Sequence, residues 1–401
     1  MKSLLAFAAV LAVAACGSAP VRTPGPAPVE NYATANLPGF PPARVFFDGN
    51  NEAQDAEIDE LVREQRLIDV AERDFNILVL SGGGADGAYG AGLLKGWTAH
   101  GDRPVFDIVT GVSTGALIAP LAFLGSKYDA QLEDFYTTIT TDDVVSPAIF
   151  SAIFGGGSSV TDSEPLQEIL RGIVDDDLVA EIAAEHLKGR RLLIATTHLD
   201  SQRPVIWDIG GLAISGNPAA PELIRSIMLA SASIPAAFPP VLIDVEIDGV
   251  PYQELHVDGG VTLSLFAYPP SIDVGELVER IGIPPARRNL FIVRNAKLQP
   301  EYGPPELGLL PIAARSVSTL IKSQTIGNIL TAEQTAERDG FNIHLAFVPD
   351  AFDEPSEELF DPAYMRKLFD VGFNDAVNGY PWGGSLIELI RSGQAPAPLG
   401  G

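Results

Sequence analysis

FNILVLSGGGADGAYG, residues 75–90, decides how the rest of the chain is read. Its first part, Phe75–Leu80, is a short apolar run of the kind that makes a strand buried on both faces. The run stops at Gly82, Gly83 and Gly84, and helical spacing takes over across residues 88–100. The same order recurs one step on. An apolar run at 106–110 leads to Gly111-Val112-Ser113-Thr114-Gly115, and a helix-like stretch covers 114–124. Two successive strand–glycine turn–helix units predict an α/β protein whose loops at the strand ends carry the chemistry.

Working outward, strands are expected at 192–197, 241–247, 252–257, 290–293 and 343–348. Asp248-Gly249 marks a hairpin turn between the second and third of these. Helices are expected at 222–230 and, as one long element, at 311–338. Strands alternating with helices imply a largely parallel sheet covered on both faces. Residues 52–71 have the spacing of a surface helix. No internal repeat is evident.

Composition narrows the function. With 401 residues and 46% apolar content, the chain can bury a sizeable core. Lys and Arg number 26 against 52 Asp and Glu, a formal charge of −26. Such a surface repels nucleic-acid phosphates and anionic lipid head groups, so no nucleic-acid partner is expected. Cys16 is the one cysteine, which excludes an intrachain disulfide or a cysteine-built metal site.

Residues 1–16, MKSLLAFAAVLAVAAC, place Lys2 ahead of an apolar run too short to span a bilayer. The shape is that of a secretory signal peptide. Its end, Val13-Ala14-Ala15-Cys16, resembles the lipobox of bacterial lipoproteins. That resemblance implies cleavage before Cys16, acylation of its thiol and amino group, and, with Gly17 following, an outer-membrane anchor facing the periplasm. The expected organisation is therefore a signal peptide at 1–15, a Pro/Ala-rich tether at 16–45 and an enzyme domain at 46–401.

Three constellations carry chemistry. The glycine turn at 82–87 presents backbone N–H groups at a helix N-terminus, where they can hold an anion or a developing oxyanion. It also fits the dinucleotide pattern G-x-G-x-x-G, but that reading wants an acidic residue at the end of the next strand, and Asp107 stands at its beginning. Gly111–Gly115 matches G-x-S-x-G, the elbow that lifts a nucleophilic serine above a sheet edge. Its plain alternative is an N-cap serine in a glycine-rich turn. Asp258-Gly259-Gly260 follows a strand and can project a carboxylate from the strand end, although Asp-Gly is commonly just a turn. Of the five histidines, His344 and His256 lie within strand patterns, so neither suits a Ser–acid–His triad.

Together, in this order, the glycine loop, Ser113 and Asp258 resemble the patatin-like phospholipase family. Ala230-Ser231-Ala232-Ser233-Ile234-Pro235 looks like that family's Ala-Ser-…-Pro segment. The resemblance implies a three-layer α/β/α sandwich with a mainly parallel central sheet and hydrolysis of acyl esters in lipids. It also implies Ser113 as nucleophile, Asp258 as base and no histidine. Gly82, Gly83, Gly84 and Thr114 are the expected oxyanion-hole positions, and membrane lipids are both substrate and anchor. The family usually carries Arg or Lys where this chain has Asp86, and an acid there works against anionic head groups. No calcium loop is present, so no cofactor or metal is expected and activity should survive chelators. Residues 146–159, with Phe150 and Phe154, are expected to form a lipid-contacting flap or a core helix with a flexible exit. The rival reading is a non-catalytic envelope lipoprotein that uses the fold for binding or scaffolding.

Overall fold

The computed structural model describes residues 22–48, 73–144, 164–235, 237–272, 274 and 287–392. The stretch expected as a signal peptide, Cys16, the helix expected at 52–71 and residues 146–159, expected as a flap or a core helix, lie outside them.

The first glycine-turn unit is β2 (Phe75–Leu80) and α1 (Gly87–His100), after a short β1 (Arg44–Phe46). The second is β3 (Ile108–Val112) and α2 (Thr114–Leu124). β3 starts two residues later than its apolar run and ends at the residue before Ser113. The displaced Asp107 accepts the Asn76 N–H at 2.8 Å and pairs with Arg73, so it closes the bottom of the sheet. Next come α3 (Asp129–Thr138), α4 (Thr141–Val144), α5 (Glu164–Ile173) and α6 (Asp176–His186). Asp175 caps α6 by accepting the Leu178 N–H at 2.8 Å, a standard use of Asp at a helix start. β4 (Arg191–His198), β5 (Arg203–Asp208), α7 (Ile209–Ala213) and α8 (Ala220–Ser231) follow. The hairpin β6 (Val241–Ile247) and β7 (Val250–Asp258) turns through positive φ at Asp248 and Gly249. β8 (Arg288–Arg294), α9 (Leu309–Arg338), β9 (Asn342–Phe347), α10 (Pro362–Val377) and α11 (Leu386–Arg391) complete the described elements.

Among the described residues, nine strands form one mixed sheet. Its path is β1-β5-β4-β3-β2-β8-β9, and the hairpin joins through β7 against β4. The centre, β4-β3-β2-β8-β9, is parallel, and β1, β5, β6 and β7 add antiparallel edges. Alternation along β2 feeds two cores. Leu78 and Leu80 face one that also holds Leu93 and Leu368, from α1 and α10. Ile77 and Val79 face another with Ile329 of α9 and Leu389 of α11. Helices on both faces make this the expected three-layer α/β/α sandwich.

One register places the chemistry. Val112, the last residue of β3, pairs with Ala195 of β4. Asp258, the last residue of β7, pairs with Thr196, the next residue of β4. β3 and β7 therefore abut end to end along one edge of β4, so Ser113 and Asp258 meet although far apart in sequence.

The stretch expected as a tether is docked where it is described. Arg22 pairs in a fork with Asp200, both contacts 2.8 Å, and the Gln253 N–H reaches Gly25 O at 3.0 Å. β1 pairs antiparallel with β5, and Arg44 pairs in a fork with the buried Glu254. From Arg22 to Phe46 the chain lies along the sheet edge instead of standing off it.

Candidate active site

Ser113 joins β3 to α2 with φ 55 and ψ −125, a backbone region that a residue with a Cβ avoids. Such strain costs on the order of 1–3 kcal/mol and persists only where the surroundings enforce it. Here Ser231, at the end of α8, enforces it. The Ser231 hydroxyl accepts the Ser113 N–H at 3.0 Å and donates to Ala195 O at 2.7 Å, tying the elbow to β4. Ser113 is 5% exposed, at the bottom of a cleft.

Asp258 is held from the same segment. Its N–H donates to Ser233 O at 2.9 Å, and its Oδ1 accepts the Gly260 N–H at 2.7 Å. The carboxyl is buried, and burial pushes its pKa up to about 7; the Ser113 hydroxyl and the Gly260 N–H act in the opposite direction. Oδ2 completes no hydrogen bond of good geometry.

The glycine turn lies against the elbow, and each glycine does a different job. The Gly82 N–H donates to Ser264 O at 3.2 Å, so it is already committed and is not an oxyanion donor. What Gly82 supplies is room, since a Cβ there would stand 3.2 Å from Ser113 Cβ. A Cβ on Gly83 would sit 2.0 Å from Asn295 O, so only glycine lets the loop lie this close to β8. Gly84 takes a left-handed φ of 59. Gly84 and Thr114 line the same cleft as Ser113, and as the first residue of α2, Thr114 has no helical acceptor for its N–H.

Sequence reasoning missed Asn295. It receives no signal beyond a place after a strand, yet it is fully buried and fixes the loop at three points. Its N–H donates to Ser81 Oγ at 2.9 Å, its side-chain amide donates to Ser81 O at 2.9 Å, and its Oδ1 accepts the Gly90 N–H at 3.1 Å. Asp86 points away from this work. Its Oδ1 accepts the Tyr364 hydroxyl at 2.6 Å, which ties the turn to α10. Burial lifts its pKa to about 6 against that hydrogen bond.

An apolar cleft runs from Ser113 between Leu117, Phe135, Ile139, Leu166, Phe238 and Phe360. The histidines are engaged elsewhere. His344 stacks on Phe291 with ring centroids 4.6 Å apart, and His256 is hydrogen-bonded by Thr196 and Glu254. His198, Glu254 and His256 are the one group among the described residues with the spacing of a metal site. Its carboxylate already faces the Arg44 guanidinium. Burial raises the Glu254 pKa, but hydrogen bonds from His256 and Arg44 outweigh it and hold the group down to about 2.

A strained serine elbow, a buried carboxyl at the next register position and a glycine turn beside both define a Ser–Asp site on an α/β sheet. Residues 78–269, which contain all three, match the model of the patatin-like phospholipase family. The chain is 32% identical over 134 residues to the cUMP-AMP-activated phospholipase of Escherichia coli. That alignment covers 33% of this chain and 37% of the relative, so the match spans little more than a third of the relative's length. Among solved structures, VipD from Legionella pneumophila is similar at 11% identity and a TM-score of 0.36, covering 76% of this chain and 67% of VipD. The type III effector ExoU is similar at 14% identity and a TM-score of 0.19, covering 75% of this chain and 53% of that protein.

Proposed function

We propose that the protein is a lipid acyl hydrolase working through a Ser113–Asp258 dyad and an acyl-enzyme. The supporting observation is the abutment of β3 and β7 on β4, which faces a strained serine towards a buried carboxyl above an apolar cleft. Ser113 Oγ attacks the ester carbonyl carbon while its proton passes to Asp258. The carbonyl oxygen becomes an oxyanion received by the amides of Gly83, Gly84 and Thr114. Collapse of this intermediate breaks the ester bond, and the leaving alcohol takes the proton back. Water then attacks the acyl-enzyme, its proton again going to Asp258; as the acyl–Oγ bond breaks, Asp258 returns that proton to Ser113 Oγ and the fatty acid is released. The cleft suits an acyl chain, since its walls are aliphatic and aromatic. Asp86 does not tilt the site towards a mere binding module, because it is occupied with Tyr364.

Turnover of p-nitrophenyl esters and digestion of a lipid extract followed by mass spectrometry test this reading. Free fatty acid should appear with the wild-type chain and not with Ser113→Ala, while His344→Ala should keep its rate. Undiminished hydrolysis by Ser113→Ala would overturn it. We further propose that Cys16 carries the envelope anchor. Cys16→Ser should then lose the added acyl mass and leave the membrane fraction; an unchanged mass would contradict this.

A further inference from the structure

Four of the large hydrophobic side chains most open to solvent in the described structure fall within one short stretch. Tyr302 is 99% exposed, Leu307 98%, Leu320 69% and Ile312 45%. Tyr302 and Leu307 lie on the loop leading into α9, and the other two lie on its N-terminal half. The C-terminal half of the same helix is anchored in the core by Ile329, Ala332 and Ala336. α9 is thus seated at one end and overhangs at the other. Single exposed apolar residues are ordinary, but a run of them on one overhanging element marks a contact surface.

The charge of this stretch runs against that of the molecule. The chain has twice as many acidic as basic residues, yet residues 307–332 contain no Asp or Glu and include Arg315 and Lys322. Lys297 lies close by, 3.8 Å from Glu301, and Lys322 pairs with the same carboxylate at 2.9 Å. Arg315 donates to the Glu301 carbonyl and also acts on the Glu301 carboxylate through its charge. Glu301 and Glu306 are the acids of the leading loop. Lys297, Arg315 and Lys322 against Glu301 and Glu306 leave a small positive excess, which with the exposed Leu, Ile and Tyr side chains forms an amphipathic surface of the type that settles at a lipid interface.

The overhang begins at the rim of the candidate site. Ile321 O accepts the Ser264 hydroxyl at 3.5 Å, and Asn328 Oδ1 accepts the Ser264 N–H at 2.9 Å. Ser264 O in turn holds the Gly82 N–H. Ile321 also stands 3.9 Å from where a Cβ on Gly260 would be, two residues past Asp258. A surface that met residues 302–320 would therefore lie against the element that buttresses the glycine turn and the Asp258 loop.

We propose that Tyr302, Leu307, Ile312 and Leu320, with Arg315 and Lys322, form a docking surface for an anionic lipid bilayer. This local patch opposes the repulsion that the whole chain's charge would impose. It deepens the lipid-hydrolase reading by assigning the side from which a membrane is approached, and it relies on that reading for its purpose but not for the binding.

Co-sedimentation with phosphatidylglycerol-containing and pure phosphatidylcholine vesicles tests it, using the full chain with Ser113→Ala so that no lipid is consumed. Leu307→Ser with Leu320→Ser should reduce binding to the anionic vesicles by about tenfold, because two exposed apolar anchors are lost. Arg315→Gln and added salt should each weaken it further. In the Ser113 background the same surface variants should turn over a short soluble ester at the wild-type rate, which shows that they fold. Vesicle binding unchanged by the double variant would overturn the proposal. So would a concentration-dependent dimer that the double variant abolishes, because the patch would then be a contact between copies. If no form of the chain hydrolyses the soluble ester, the hydrolase reading fails while the vesicle result stands by itself.

Discussion

At the scale of single residues, activity and stability pull Asp258 in opposite directions. Its carboxyl is raised from 3.8 to about 7 by burial, so the neutral form is the one the fold prefers. The stability this contributes is fully present below the unfolded value and is lost as pH rises through about 7. Catalysis needs the charged form, so the rate should rise through the same interval. Asp258→Asn should thus remove most activity and yet raise stability near pH 8, by on the order of a few kcal/mol. The gain should shrink towards pH 4, where the wild-type carboxyl is also neutral. Urea unfolding at the two pH values measures it; a destabilised variant at the higher pH would contradict the burial of the carboxyl. The residue types of this dyad were legible in the sequence, since G-x-S-x-G and Asp-Gly-Gly each follow a strand. The strain at Ser113 and the grip of Ser231 and Ser233 were not, because both arise from contacts between segments far apart in the chain.

At the scale of elements, the turn after β2 works because β8 lets it approach. Gly83 passes so near Asn295 O that even one methyl group collides with backbone. Gly83→Ala should therefore shift the loop and lower kcat on a soluble ester by roughly a hundredfold, the loss seen when an oxyanion donor is displaced. Far-UV circular dichroism should be unchanged, because the loop is freer to move than the sheet. Full activity in this variant would show that the turn does not hold the oxyanion. The sequence pointed to this turn, to the hairpin at Asp248-Gly249 and to the long α9, all of which are local patterns. It counted Gly82 among the donors, and the structure corrects this, because its N–H is taken by Ser264. β1, three residues long, and β5, which begins Arg-Pro, carry too weak an alternation to be recognised before their partners are known.

At the scale of the whole molecule, a segment with the composition of a tether becomes part of the folded body. Proline and alanine gave the tether expected at 16–45 no periodic face, and where it is described it is held by strand pairing and by ion pairs with distant partners. Arg44 is the main one. It is 9% exposed beside Glu254 at 1%, so the pair is buried. Removing the cation leaves a carboxylate inside the protein, and Arg44→Ala should cost roughly 3–5 kcal/mol at neutral pH. Because the folded Glu254 pKa is held down to about 2, its contribution is present above the unfolded value and disappears only as pH falls through that number. Chemical denaturation at pH 7 tests this, and a wild-type midpoint would mean that the segment is not integral. The strand abutment belongs to this scale too. No local pattern foretells that β3 and β7 end on neighbouring residues of β4, and the site exists because they do.

The rate of labelling by a fluorophosphonate, followed across pH with the adduct located by peptide mass spectrometry, probes that meeting of strand ends most directly. The expected result is a single adduct on Ser113, forming faster through one ionisation near pH 7 and slowed at least about a hundredfold in Asp258→Asn. An adduct on another residue, or Asp258→Asn labelled at the wild-type rate, would contradict a serine activated by that carboxylate.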